Sequence, residues 1–140
     1  KKTLGKNSFL FVGVDLIKNS KILMKAYNDK TNFTAKFNLN LIKIINKKFK
    51  TKLKVKDFKY IATFSKKKNS MNNFIVSKKN QKFLLKNKKF NLKKGEKIQT
   101  EISNKFTIPK FKKLAKSSGW YVKKYWKDKK KYYAVFLLQA

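Results

Sequence analysis

The chain has 140 residues, the length of one domain, with 39 basic residues against 6 acidic ones and a formal charge of +33. Every basic side chain is Lys, and Arg, His and Cys are absent. That excludes a disulfide scaffold, thiolate metal sites and histidine as a general base or metal ligand.

The first element in chain order is the apolar run Ser8 to Val14, which ends at Asp15. Its length and its Phe and Val content predict a strand buried on both faces, as in a parallel sheet. Ser20 to Tyr27 reads as a short helix with Ile22, Leu23 and Ala26 on one side, followed by a polar turn over residues 27–32. The next helix has Thr34 as N-cap and Phe37, Leu41, Ile44 and Ile45 as its buried stripe. Asn38, Asn46 and several Lys fall on its other faces, and it is expected to end near Lys48.

From Phe58 to Phe106 the period shortens. Strands are predicted over 58–64, 71–77, 81–85 and 97–103, with turns at 65–70 and 91–95, as in a local antiparallel meander. A helix then starts with Thr107 as N-cap, Pro109 in the first turn and Phe106 with Phe111 as a hydrophobic staple. Gly119 closes it, and a hairpin of 120–126 with 132–138 ends the chain. The first strand lacks a parallel partner, so residues 1–17 and 106–140 are expected to belong to a sheet whose other strands lie upstream. The missing initiator Met points the same way.

The charge alone admits a Lys-rich nucleic-acid-binding module, and Trp120, Tyr121, Tyr125, Trp126, Tyr132 and Tyr133 could be read as its base-stacking partners. Phosphate readers, however, use Arg as well as Lys. The abundance of Lys, Asn, Ile and Phe matches AT-rich codons, so the charge reads as compositional background on solvated faces. With 41% hydrophobic and 15% aromatic residues the chain can build a core. It holds no apolar run of ~18 residues and no signal-peptide pattern, so a cytoplasmic protein without a membrane partner is expected.

Six scattered acids without His or Cys make a metal site unexpected. The four glycines form neither GxGxxG nor a P-loop. Glu101 and Ser103 stand two apart on one strand and so share a face. A carboxylate beside a hydroxyl suits a ligand with N–H donors, although Glu101 could equally pair with a neighbouring Lys. Tyr27, at the mouth of a polar loop, is a second candidate.

Several segments occur together in one order: Gly13-Val14-Asp15-Leu16-Ile17-Lys18, Ala26-Tyr27-Asn28-Asp29, residues 33–40, Ile45-Asn46, residues 100–107 and Trp126-Lys127-Asp128. The set resembles the C-terminal part of the histidine-specific, S-adenosylmethionine-dependent methyltransferases, which include the enzyme of ergothioneine biosynthesis that makes hercynine. The resemblance implies an α/β fold: the C-terminal part of a Rossmann-like methyltransferase core, residues 1–17 and 106–140, with an inserted α+β substrate-recognition domain, residues 18–105. It implies histidine as substrate and S-adenosyl-L-methionine as cofactor, with the cofactor motif upstream of this chain, which would leave the chain inactive by itself. Tyr27 matches the tyrosine that binds the amino-acid end of the substrate, Glu101 and Ser103 the pair that holds the imidazole, and Thr34 a pocket threonine. Asn73 stands where the family often has a Met lining the imidazole pocket, and relatives methylate tryptophan-derived amines, so a related non-histidine amino acid is the alternative substrate.

Overall fold

The computed structural model describes residues 5–140. Its elements are β1 (Phe9–Asp15), α1 (Ser20–Tyr27), α2 (Phe33–Phe49), β2 (Phe58–Ser65), β3 (Ser70–Ser77), β4 (Gln81–Leu85), β5 (Lys88–Leu92), β6 (Lys97–Asn104), α3 (Ile108–Ser117), β7 (Tyr121–Lys127) and β8 (Tyr133–Gln139). The chain is mixed α/β with antiparallel sheets. It divides into two compact units, one of residues through Asn19 with 67–69 and 104–140, the other of residues 20–66 and 70–103. Among the described residues no helix is long and apolar enough to cross a membrane.

In the first unit the sheet order is β1-β8-β7. The expectation of a parallel strand buried on both faces is corrected here. β1 runs antiparallel to β8, from Phe9 opposite Gln139 to Asp15 opposite Tyr133, and the parallel contact is an isolated bridge, Leu16 with Phe106. The C-terminal hairpin delivers β8 beside β1 in reverse, and α3 supplies cover for one face. Val14 packs there with Ala134, Phe136, Leu138 and the Phe111 and Ala115 of α3, while Phe11 on the other face is 66% exposed. A Cβ at Gly13 would collide with the Tyr133 hydroxyl, so a larger residue here would require that ring to move.

Helix α3 forms as its local chemistry dictates. The Thr107 hydroxyl accepts the Lys110 N–H at 3.3 Å, Pro109 sits in the first turn, and the Phe106 and Phe111 rings meet edge-to-face at 5.6 Å. At its end Gly119 takes φ +78°, and the N–H groups of Gly119 and Trp120 return to the carbonyls of Lys116 and Ala115. This is the double bond pattern that a left-handed glycine permits.

In the second unit β2 and β3 form an antiparallel hairpin from Phe58 opposite Ser77 to Ser65 opposite Ser70, and β6 lies on the other side of β3. β4 and β5 form a separate hairpin around Lys86 and Asn87, both at positive φ. One core gathers Ile42, Leu53, Phe58, Ile75 and Leu92; a smaller one gathers Leu23, Ala62 and Met71, with Tyr27 and Tyr60 against it. In α1 only Leu23 of the three apolar residues expected to face inward is buried.

Helix α2 is turned relative to the expected stripe. It buries Asn38 and Ile42 and leaves Phe37 77% and Ile44 52% exposed. The helix carries two competing apolar rows. Ile42 is buried with Leu53, Phe58 and Ile75, and Leu41 and Ile45 of the expected stripe pack against that core, while Phe37 and Ile44 remain outside. Thr34 is not the N-cap: it is inside the helix, and Asn32 precedes the first turn with φ 57° and no side-chain cap. The Asp29 carboxylate does that work instead, accepting the N–H groups of Phe33 at 2.7 Å and Thr34 at 3.0 Å. The helix runs to Phe49 and stops at left-handed Lys50.

Candidate functional site

Five of the six acids are engaged by lysines or by hydrogen-bond donors close in sequence. Asp15 is ion-paired to both Lys18 and Lys105, the latter at 2.7 Å. Asp57 meets Lys79 at 2.8 Å, and that hydrogen-bonded ammonium lowers its pKa. Asp29 accepts the Thr31 hydroxyl as well as the two helix N–H groups, and these bonds hold it well below the usual carboxylate range. Glu96 accepts the N–H of Lys93 at 2.8 Å. Asp128 accepts the N–H groups of Lys130, Tyr132 and Tyr133 in the C-terminal hairpin, with its pKa lowered, most by Tyr133.

Glu101 differs. Its Oε2 accepts a hydrogen bond from Asn73 Nδ2 at 2.8 Å, and no lysine lies within ion-pairing distance among the described residues. Glu101 is exposed, and its Oε1 makes no hydrogen bond among the described residues. Asp29, Glu96 and Asp128 also lack an ammonium partner among the described residues, but their carboxylates are taken up by nearby backbone N–H groups, whereas Glu101 is held by a side-chain amide from another strand. The alternative of a Glu101–Lys surface pair is therefore not what the structure holds.

Glu101 is among the residues lining a cavity of about 350 Å³, with Phe37, Leu41 and Ile44 on its apolar side and Asn38, Asn40 and Thr100 as polar neighbours. The outward Phe37 row of α2 is what gives this cavity its apolar side. Thr100, next to Glu101 on β6, places its hydroxyl 2.6 Å from Asn38 Oδ1 and 3.1 Å from the Asn73 carbonyl. Asn38 in turn donates to the Thr34 carbonyl at 2.9 Å. This fixes α2 and β3 on either side of the strand that carries Glu101.

Of the residues singled out from sequence, the structure joins Glu101 and Asn73 directly. Ser103 is half-buried two positions further along β6 and is itself engaged. Tyr27 ends α1, half-buried, and lines a different cavity of about 450 Å³ with Asp29, Leu39 and Tyr60. Thr34 lines neither cavity. Tyr60, Asn38 and Thr100 were not anticipated. Tyr60 links the two places: it lines the Tyr27 cavity and donates its hydroxyl to Asn73 Oδ1 at 2.8 Å. Burial first, then the nearby Glu101, Tyr27 and Asp29, push its phenol up to about 12. The one available signal for Asn38 was its place between Phe37 and Leu41, where a polar residue inside an apolar row marks a buried hydrogen bond.

A sequence model of the family described as histidine-specific methyltransferase, SAM-dependent, matches residues 1–140. The chain belongs to that family. The histidine N-alpha-methyltransferase of Mycobacterium tuberculosis (strain CDC 1551 / Oshkosh) is 34% identical over 56 residues, 40% of this chain and 17% of the relative. That of Mycolicibacterium smegmatis (strain ATCC 700084 / mc(2)155) is 30% identical over 63 residues, 45% of this chain and 20% of the relative. The matched segments thus span about a fifth or less of these relatives' own length.

The family's donor is S-adenosylmethionine. The residues of this chain do not fit it: Gly13 lies inside β1 under Tyr133, and Gly95 and Gly119 sit in isolated turns, so no glycine-rich strand-to-helix turn is formed among the described residues. Nor does any group of three acidic side chains gather there that could hold a metal ion.

Proposed function

We propose that this chain carries the amino-acid recognition site of a histidine-specific N-methyltransferase, with residues 18–105 as the substrate-binding part and residues 1–17 and 106–140 as the end of a Rossmann-like core. The observation that carries the reading is Glu101, whose Oε1 has no protein partner among the described residues, whose carboxylate no lysine neutralises there, and which lines a largely apolar cavity. An imidazole presents what such a rim accepts: an N–H for the carboxylate and a ring for Phe37, Leu41 and Ile44. A charge-assisted bond of this kind contributes ~1.5–3 kcal/mol. Ser103 stands beside it, Thr34 supports the helix that forms the cavity wall, and Tyr27 is the candidate for the amino-acid end. The reaction is N-alpha methylation of histidine to hercynine, as in an ergothioneine-type pathway.

Methylation of an amine needs alignment rather than a protein nucleophile. A chain without His or Cys is suited to that task, and its residues here orient the substrate. The donor S-adenosylmethionine supplies the methyl group, and no residue described here is assigned to it. Titration of histidine into the chain, followed by calorimetry, tests the reading. Glu101→Gln is expected to weaken histidine binding about tenfold or more. Equal histidine affinity in the chain and the variant overturns it, and tighter binding of tryptophan than of histidine reassigns the substrate.

A further inference from the structure

We infer that Tyr60 and Asn73 are positioning residues for Glu101: the buried Asn73 amide, fixed at its carbonyl end by the Tyr60 hydroxyl, engages one carboxylate oxygen and leaves the other for a ligand with a ring N–H donor. This rests on the reading of Glu101 as the substrate acceptor. Asn73 is 0% exposed. Both ends of its side chain are engaged, Oδ1 by Tyr60 Oη and Nδ2 by Glu101 Oε2, each at 2.8 Å. With neither end turned to a cavity, it acts on a ligand through Glu101.

The direction of this chain of hydrogen bonds is fixed by its members. An ionised carboxylate only accepts, so the amide must turn its NH₂ toward Glu101 and its carbonyl toward Tyr60. The carbonyl also only accepts, so Tyr60 must donate and must stay protonated. The phenol pushed up to about 12 agrees with that requirement. The two links reach across 13 and 28 residues of sequence and tie β2, β3 and β6 together at this one carboxylate.

The choice of an amide is informative in a chain with 39 basic residues. A lysine at Asn73's position would also hold Glu101 but would neutralise it and compete with the incoming N–H. A neutral amide orients the carboxylate and leaves its charge for the ligand. One oxygen remains, so the ligand is an amino acid with a single ring N–H at this point, as in imidazole or indole, and a phenyl ring has nothing to offer it.

The test measures selectivity, which a general loss of structure would not change. Histidine and phenylalanine are titrated into the chain and its variants, and the ratio of their affinities is compared. In the parent chain histidine is preferred; in isosteric Tyr60→Phe the preference is expected to fall about threefold to tenfold, and in Asn73→Leu by more. In the background Glu101→Gln the preference is already lost, and adding Tyr60→Phe is expected to change it no further. An unchanged preference in folded Tyr60→Phe overturns the positioning role while leaving Glu101 as acceptor. A parent chain that binds histidine and phenylalanine equally overturns both readings at once.

Discussion

Asp15 and Glu101 are carboxylates of one lysine-rich chain that have been put to opposite uses. Asp15 closes β1 and sits between Lys18 and Lys105, whose side chain is only 1% exposed. Its charge is consumed in making a buried ammonium tolerable. Glu101 is held by a neutral amide, and its second oxygen has no protein partner among the described residues. The difference teaches that even at +33 a carboxylate's partner is set by local geometry and not by net charge: Asp15 is taken up by two ammonium groups and Glu101 by a neutral amide.

The largest effect expected from breaking this contrast is on the Asp15 side. Asp15→Ala leaves Lys105 buried without its carboxylate and should cost about 3 kcal/mol, the low end for a broken buried pair because Asp15 is partly exposed. Urea unfolding measures it, and a loss below 1 kcal/mol refutes the structural role. Glu101→Gln is the mirror experiment. The amide retains an acceptor for Asn73, so stability should change by no more than about 0.5 kcal/mol, whereas histidine affinity should drop about tenfold or more.

A smaller effect concerns acid. The pKa of Asp29 is depressed in the folded chain by the Thr31 hydroxyl and the helix N–H groups. Its contribution is therefore fully present above the unfolded carboxylate pKa of about 4 and lost as pH falls below it. Asp29→Asn should accordingly separate from the parent chain in urea midpoint at pH 6 and converge with it toward pH 2. Convergence in the other direction refutes the cap.

The smallest effect is spectroscopic. Tyr60, raised to about 12, should ionise after ordinary tyrosines in an ultraviolet titration, and Glu101→Gln should bring it down. Since its pKa is raised, its contribution to stability is intact below about pH 10 and is lost as pH climbs from there toward 12. A Tyr60 that titrates unchanged in Glu101→Gln would separate the two residues electrically.

What could be read in the sequence was what local chemistry determines. The start of α3 follows from Phe106, Thr107 and Pro109, and its end from Gly119, because caps and staples act within a few residues. The face of α2 could not be read: Phe37 and Ile42 belong to rival apolar rows, and the choice depends on Leu53, Phe58 and Ile75. β5 was missed because its turn uses Lys86 and Asn87 at positive φ in place of glycine. Counting the acids drew attention to Glu101, but its surroundings come from Tyr60, Asn73 and Asn38, across separations of up to 62 residues for the Asn38–Thr100 link. No period or spacing announces such contacts.

The burial of Lys105 also gives the protein an internal clock. Among the described residues it is the buried lysine in a chain whose other amines are exposed or, for Lys18, partly so. An acylating reagent will therefore modify the surface amines first and reach Lys105 only when the first unit opens. Mass spectrometry of that single peptide would report the opening rate of the native chain without any denaturant.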